Sequence, residues 1–279
     1  CSAINFPCSA AADRMRPRLC CPVRNPIAHL KAFSINFRCI NSQDKDPQTM
    51  PTLYHHPMSA ASRFIRLVLH EYDMETEQVE ERTWERRRDF LALNPAATLP
   101  VYVDDSMHAV CGAGVIAEYI DETGGMLKRD NRLRPDEAVK RAEVRRLIDW
   151  FLVKLEQDVT RHLVRERVYK LLMPKEAGGG APDSKALRAA RANIRQHMRY
   201  LDYLANSRNW LAGDDLSYAD FAATGSLSTL DYLGEIKWEE TPHAKAWYQR
   251  IKSRPSMRPL LADRVSRLSP VPHYVDLDF

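Results

Sequence analysis

The sequence predicts a small α/β domain followed by an all-helical domain. Three observations carry that expectation. Short strand-like runs alternate with helical patterns between Thr52 and Ile120. From Asp136 onward, apolar residues recur at steps of three and four with no strand signal. Between these regimes, Leu99-Pro100 leads straight into the β-rich run Val101–Val103. A proline at the head of a strand has no N–H to give, so it belongs at an edge or at a special peptide geometry.

Taken in order, Thr52–His55 alternates and stops at Pro57, as a first strand should. Ser59 and Ser62 precede the apolar set Phe64, Ile65, Leu67, Val68 and Leu69, the signature of a capped helix. Glu75–Glu81 reads as a second strand, and Arg82–Leu93 as a short arginine-rich helix or loop. The stretch NPAATLPVYVDDSMHAVCGAGVIAEYI, residues 94–120, then gives a turn, a strand, a hairpin turn at Asp104-Asp105, a second strand to Cys111 and a helix. If the Leu99-Pro100 bond is cis, the backbone of residue 99 turns outward and can pair with an extended peptide ligand.

Beyond the turn at Gly124-Gly125, a long helix carries Val144, Leu147, Ile148, Phe151, Leu155, Val159 and Leu163 on one stripe and ends before Pro174. Asp183 or Ser184 caps the next helix, which buries Leu187, Ile194, Met198, Leu201 and Leu204. Ser217 and Asp220 form a capping box for a largely apolar helix to about Leu233. Thr241–Ser253 and Ser256–Arg267 read as two last helices. The resulting division is an extension over 1–49, an α/β domain over 50–125, a linker over 126–134, a helical domain over 135–268 and a distinct tail over 269–279.

The first 49 residues differ from the rest. They hold five of the six cysteines and seven Lys/Arg against three Asp/Glu, which is the whole net charge of +4. They are read as a non-native or disordered extension, with Met50 as the start of the protein proper; a transit peptide and a metal-binding arm are the rival readings. Their cysteine spacings do not form the paired C-x₂-C units of a zinc site. After residue 49 the single cysteine, Cys111, allows no internal disulfide, which points to a reducing compartment such as the cytoplasm. That part is formally neutral, which removes the case for nonspecific nucleic-acid binding. No run of 18 or more apolar residues exists, so no membrane-spanning helix is expected.

The segment LYHHPMSAASRFIRLVL, residues 53–69, together with the cis-proline stretch, resembles the thioredoxin-like domain of the glutathione S-transferase superfamily. NWLAGDDLSYADF, residues 209–221, resembles that family's helical-domain motif. The resemblance implies a glutathione-transferase fold and a homodimer. A working member needs a hydroxyl or thiol after the first strand, a backbone clamp beside the cis-proline, and an acid–hydroxyl pair at the start of the third helix. Ser59 or Ser62 offers the first, although both also read as helix caps. Leu99 and Pro100 offer the second. The third is lost, because Gly112-Ala113 stands where the family has Glu-Ser. Two unpaired charged groups on the γ-glutamyl end cost on the order of 1–3 kcal/mol each. The expectation is therefore a vestigial site with no cofactor, glutathione being bound only if the chain is an active transferase.

The defective site and the tail SPVPHYVDLDF sharpen the resemblance to the FtsZ-binding division proteins within this superfamily. That likeness implies binding to FtsZ filaments at the division site, and a tail linking filaments to the cell-wall synthesis machinery. Candidate partner contacts are Trp84, Arg86 and Arg87 in the basic–aromatic cluster, with a solvated helix face as the rival reading. In the tail they are His273, Tyr274, Asp276, Asp278 and Phe279. Read as an extended strip, the tail puts Val275, Leu277 and Phe279 on one face and the two aspartates on the other. Packing on its own domain and docking on a partner stand level. His55 and His56 face opposite ways on a strand and are read as packing or solvent-exposed residues rather than a metal pair.

Overall fold

Four short strands and the helices around them are built where the pattern places them. The computed structural model describes residues 50–125, 132–277 and 279. The extension 1–49, most of the expected linker 126–134 and Asp278 lie outside the described residues. Strands β1 (Thr52–His55), β2 (Glu77–Glu80), β3 (Val101–Val103) and β4 (Ala109–Cys111) form one sheet in the order β2-β1-β3-β4. β1 runs parallel to β2, while β1–β3 and β3–β4 are antiparallel. Helix α1 (Ala60–Glu71) starts at Ser59, whose side chain accepts from the Ser62 N–H. Helices α2 (Arg88–Leu93) and α3 (Ala113–Thr123) complete this part.

The long helix begins as α4 (Ala138–Asp149) and keeps helical rotation to Leu172. On the way it widens into π-type turns at Trp150–Lys154, Glu156–Thr160 and Arg165–Tyr169, separated by α5 (Arg161–Val164) and followed by α6 (Lys170–Leu172). The expected stripe is buried along it, from Val144 to Leu163, apart from Ile148, which packs half-buried at the core's edge. Helix α7 (Ser184–Ser207) is capped by Asp183, whose carboxylate accepts from the Lys185 and Ala186 N–H groups. Ile194, Met198, Leu201 and Leu204 are buried as their spacing requires, while Leu187 is only half-buried.

Helix α8 (Tyr218–Tyr232) is the centre of the chain, with every residue buried. Its capping box forms: Asp220 accepts from the Ser217 N–H at 3.0 Å, and Ser217 accepts from the Ala219 N–H at 3.3 Å. Asp220 also takes the Leu211 N–H at 2.9 Å and the Trp247 indole at 3.0 Å, so the same carboxylate pins the preceding turn and the next helix. α8 crosses α1 at Gly225. A Cβ there would stand 2.6 Å from the Ala60 carbonyl oxygen and 2.9 Å from the Phe64 nitrogen, so only glycine permits this approach. One hydrophobic core runs from Leu53 and Phe64 through α8 to Tyr274, joining the α/β and helical parts.

Two expectations at the C-terminal end are corrected. Helix α9 (Pro242–Lys252) forms, but the last helix, α10, covers only Arg258–Ala262 rather than reaching Arg267. Asp263 leaves the helix in an extended conformation and pairs with Arg66 through two bonds of 2.7 and 2.9 Å. The buried charges of α1 thus end the helix early. The tail is not an extended strip either. Pro272–Tyr274 forms a 3₁₀ turn, Tyr274 is fully buried, and Val275 and Leu277 are exposed.

Candidate functional site

The Leu99-Pro100 bond is cis. β3 runs beside β4 with Val101 paired to Cys111, and the Gly112 N–H donates to the Pro100 carbonyl at 3.2 Å. The clamp residue and the start of α3 are therefore adjacent. Gly112 caps α3 with φ 92° and ψ 134°, a conformation that L side chains rarely adopt. A Cβ built there meets nothing within 4 Å. The acid of the family pattern is thus missing from a backbone that disfavours any side chain, and Ala113 adds no hydroxyl.

Of the two candidate hydroxyls, only Ser59 is half-exposed. Ser62 is fully buried and accepts from the His56 N–H at 3.4 Å, so it holds the β1–α1 corner. Both serines therefore serve the local fold, and Ser59 alone remains within reach of a ligand. Cys111 is half-buried with its thiol 3.7 Å from the Leu93 carbonyl, and burial pushes its pKa up, away from nucleophilic use.

A second cluster was not legible from the motifs. His56 follows β1, is buried, and has its ring edge-on to Trp84 and Tyr169 at 5.9 and 4.9 Å; Trp84 and Tyr169 lie 5.1 Å apart. These rings join the α/β part to the wide turns of the long helix. His56 Nδ1 accepts from the Met58 N–H, while Nε2 is enclosed with no partner. Burial, helped by Arg82 and Arg63, lowers its pKa to about 4. His55 is lowered to about 3, first by burial and then by Arg66. Packing, and not solvent exposure, is thus the role of both histidines. On the same long helix as Tyr169, Glu156 has an enclosed and unpartnered Oε2, and burial raises its pKa to about 7. Burial and the Glu156 charge together raise the Tyr169 phenol. Both residues sit on π-type turns, which often mark functional positions. No local sequence signal marks this cluster, because His56, Trp84 and the Glu156–Tyr169 stretch come from three separate segments.

The partner-contact candidates are scattered by the fold. Trp84 is half-buried against His56 and Tyr169 and does not project as a free anchor. Arg87 is held by Glu81 at 2.7 and 3.0 Å, and Arg86 is exposed. In the tail, Tyr274 and His273 turn inward. Tyr274 accepts from Arg63 at 2.8 Å and donates to the Leu260 carbonyl at 2.9 Å, which removes it from any outer contact surface. His273 bonds the buried Asp231 at 3.0 Å. Phe279 lies under the Lys252 ammonium at 3.9 Å and near Trp238. Asp276 remains exposed. Of the two readings of the tail, its own domain holds the anchoring residues. Among the described residues no group of three or more His, Cys, Asp or Glu is arranged to hold a metal ion, and no helix is long and apolar enough to cross a membrane.

Comparison with known proteins bears on this arrangement. The family model for the glutathione S-transferase N-terminal domain matches residues 50–122, and that for the C-terminal domain matches 169–255. FtsZ-localized protein A of Caulobacter vibrioides is 40% identical over 231 residues, 82% of this chain and 98% of that protein. A solved glutathione S-transferase from Sinorhizobium meliloti 1021 is 66% identical, with a TM-score of 0.82 over 83% of this chain and all of that one. The structure of FzlA from C. crescentus gives a TM-score of 0.77 at 40% identity, over 83% of this chain and all of that one.

Proposed function

The chain belongs to the glutathione S-transferase family, and we propose that it is a non-catalytic member that binds FtsZ filaments at the division site. The observation that carries this is the likeness to FtsZ-localized protein A, sustained across nearly the whole of that protein. The bare start of α3 supports the non-catalytic part. With Gly112 and Ala113 in place of an acid and a hydroxyl, the γ-glutamyl end of glutathione has no side chain to hold it. In this reading the protein works in the cytoplasm, takes no cofactor, and couples filaments to the cell-wall synthesis machinery through the exposed part of its tail around Asp276.

The reading includes a homodimer. Val115 on α3 and Val139 on α4 are 60% and 73% exposed, a cost that a partner subunit would remove. Between α3 and α4 lies a cleft of about 350 Å³ lined by Val115, Ile148 and Arg145, among others. Light scattering should give twice the monomer mass, and a monomer at micromolar concentration would end this part of the proposal.

The test of the function is co-sedimentation with polymerised FtsZ. The protein should pellet with filaments and stay in the supernatant without them. Absence from the pellet at micromolar concentrations of both would refute it. An active transferase is the second reading, favoured by the half-exposed Ser59 at the head of α1 beside the cis-proline sheet. In that case Ser59 would donate to the glutathione thiolate and lower its pKa. Conjugation of glutathione to a generic electrophile, lost in Ser59→Ala, would establish that reading instead.

A further inference from the structure

A cleft of about 1020 Å³ opens on the helical part, between α7, the turn after α8 and the stretch leading into α9. Five cations, Arg167, Arg191, Arg195, Arg199 and Lys237, line it against two carboxylates, Glu235 and Glu240. Glu235 is consumed within the wall. Arg167 meets it at 2.6 Å and Arg191 at 2.7 and 2.8 Å, so one carboxylate is shared by two guanidiniums. Lys237 and Glu240 form an exposed pair at 3.5 Å. The Arg195 guanidinium makes no hydrogen bond or ion pair with the described residues, and Arg199 reaches only a carbonyl of its own helix, at 3.3 Å. The positive charge of the cleft is therefore unspent at Arg195 and Arg199.

The cleft has two further features. Its floor is apolar, made by Ile194, Met198 and Leu233. Its wall carries Thr241, which is 3% exposed and whose hydroxyl has no hydrogen-bond partner. Thr241 stands at the N-cap of α9 yet does not cap it. A buried hydroxyl without a partner is costly unless something supplies one. Solvation explains a row of surface arginines, but it does not explain an enclosed hydroxyl in the same wall.

We infer that this cleft binds an extended peptide of a partner protein, with acidic residues at alternate positions and apolar residues between them. The spacing fits. Arg191, Arg195 and Arg199 recur every four residues on α7, a rise of about 6 Å per step. Alternate residues of an extended strand lie about 6.6 Å apart. Carboxylates on one face of such a peptide meet Arg195 and Arg199, the two unpaired arginines of the row, and the intervening side chain, on the opposite face, turns to the Leu233 wall. Guanidinium favours carboxylate through paired donors, which suits this class of ligand. Thr241 is placed to take a backbone group of the peptide. This site is separate from the cis-proline region and from the tail, so it stands whether or not the chain binds filaments.

The experiment is fluorescence polarisation with the full chain and two labelled peptides of identical composition. One alternates aspartate and leucine over eight residues; the other has the four aspartates in a block. The alternating peptide should bind in the micromolar range, at least tenfold tighter than the block. Arg195→Glu combined with Arg199→Glu should weaken it at least tenfold while leaving the melting curve unchanged, since both side chains are exposed. Thr241→Val should weaken it at least threefold. Equal affinity for the two peptides would show diffuse charge attraction and overturn the proposal. So would undiminished binding by the double variant. Unchanged affinity in Thr241→Val would remove the hydroxyl from the site.

Discussion

Tyr274 decides what the tail is for. Its ring is fully buried, and its hydroxyl stands between the Arg63 guanidinium and the Leu260 carbonyl. Tyr274→Ala removes the ring and leaves a hole beside Tyr232, whose centroid is 5.1 Å away. Large-to-small changes of this kind at aromatic core positions cost about 3–5 kcal/mol. Tyr274→Phe keeps the ring and removes only the hydroxyl. Arg63 then retains Ser228 and Asp263, and the Leu260 carbonyl keeps the Asp263 N–H at 3.2 Å, so the loss is that of the hydroxyl's own hydrogen bonds, about 0.5–1.5 kcal/mol. Asp276→Lys, on the exposed turn two residues on, should cost about 0.5 kcal/mol or less. Urea unfolding followed by tryptophan fluorescence measures all three. The order should be Ala, then Phe, then Lys, with unchanged slopes. If Tyr274→Ala unfolds within about 0.5 kcal/mol of the parent, the tail is not seated on the helical part and its packing account fails. If Phe costs as much as Ala, the hydrogen bonds and not the ring are what anchor it.

Three further outcomes are expected. Gly225→Ala should destabilise the chain by several kcal/mol, because its Cβ would meet backbone atoms of α1 that cannot swing aside; a melt like the parent's would refute the close crossing. Millimolar glutathione should leave the melting temperature unchanged, and a clear upward shift would restore the enzyme reading. Stability should fall from pH 7 to pH 5, since His55 and His56 stay neutral in the fold while the unfolded chain takes up protons below 6.5, costing about 2 kcal/mol each by pH 5. Glu156 acts oppositely. Its folded pKa is raised to about 7, so its protonation favours the fold by about 2 kcal/mol more at pH 5 than at pH 7. Glu156→Gln should therefore steepen the loss on acidification, and parallel curves for variant and parent would sink this assignment.

The elements were legible because their signals are local. The serine before α1, the proline before β3 and the box at Ser217–Asp220 each act within a few residues. The end of α10 was not legible, because it is set by Arg66, 197 positions away in the chain. The tail failed for the same reason. Its alternation of apolar and acidic residues is compatible with an extended strip, but the bonds from Arg63 and Asp231 draw Tyr274 and His273 into a tight turn. At the candidate site, the missing acid–hydroxyl pair could be read from Gly112-Ala113. The buried cluster of His56, Trp84, Tyr169 and Glu156 could not, because three separate segments contribute to it.

The bonds from Arg63 and Arg66 to Asp263 and Tyr274 also bear on how the chain is made. During synthesis the α/β half emerges first, carrying two arginines whose counter-charge is translated some 200 residues later. Until then a guanidinium meant for the interior has nothing to face but water, and the apolar flank of α1 has no α8 to cover it. The first half therefore cannot settle by itself on the ribosome, unlike a domain that folds as it appears. A chain terminated anywhere before Asp263 keeps both charges uncompensated, and a fragment of that kind is a substrate for proteolysis and not a weakened version of the protein.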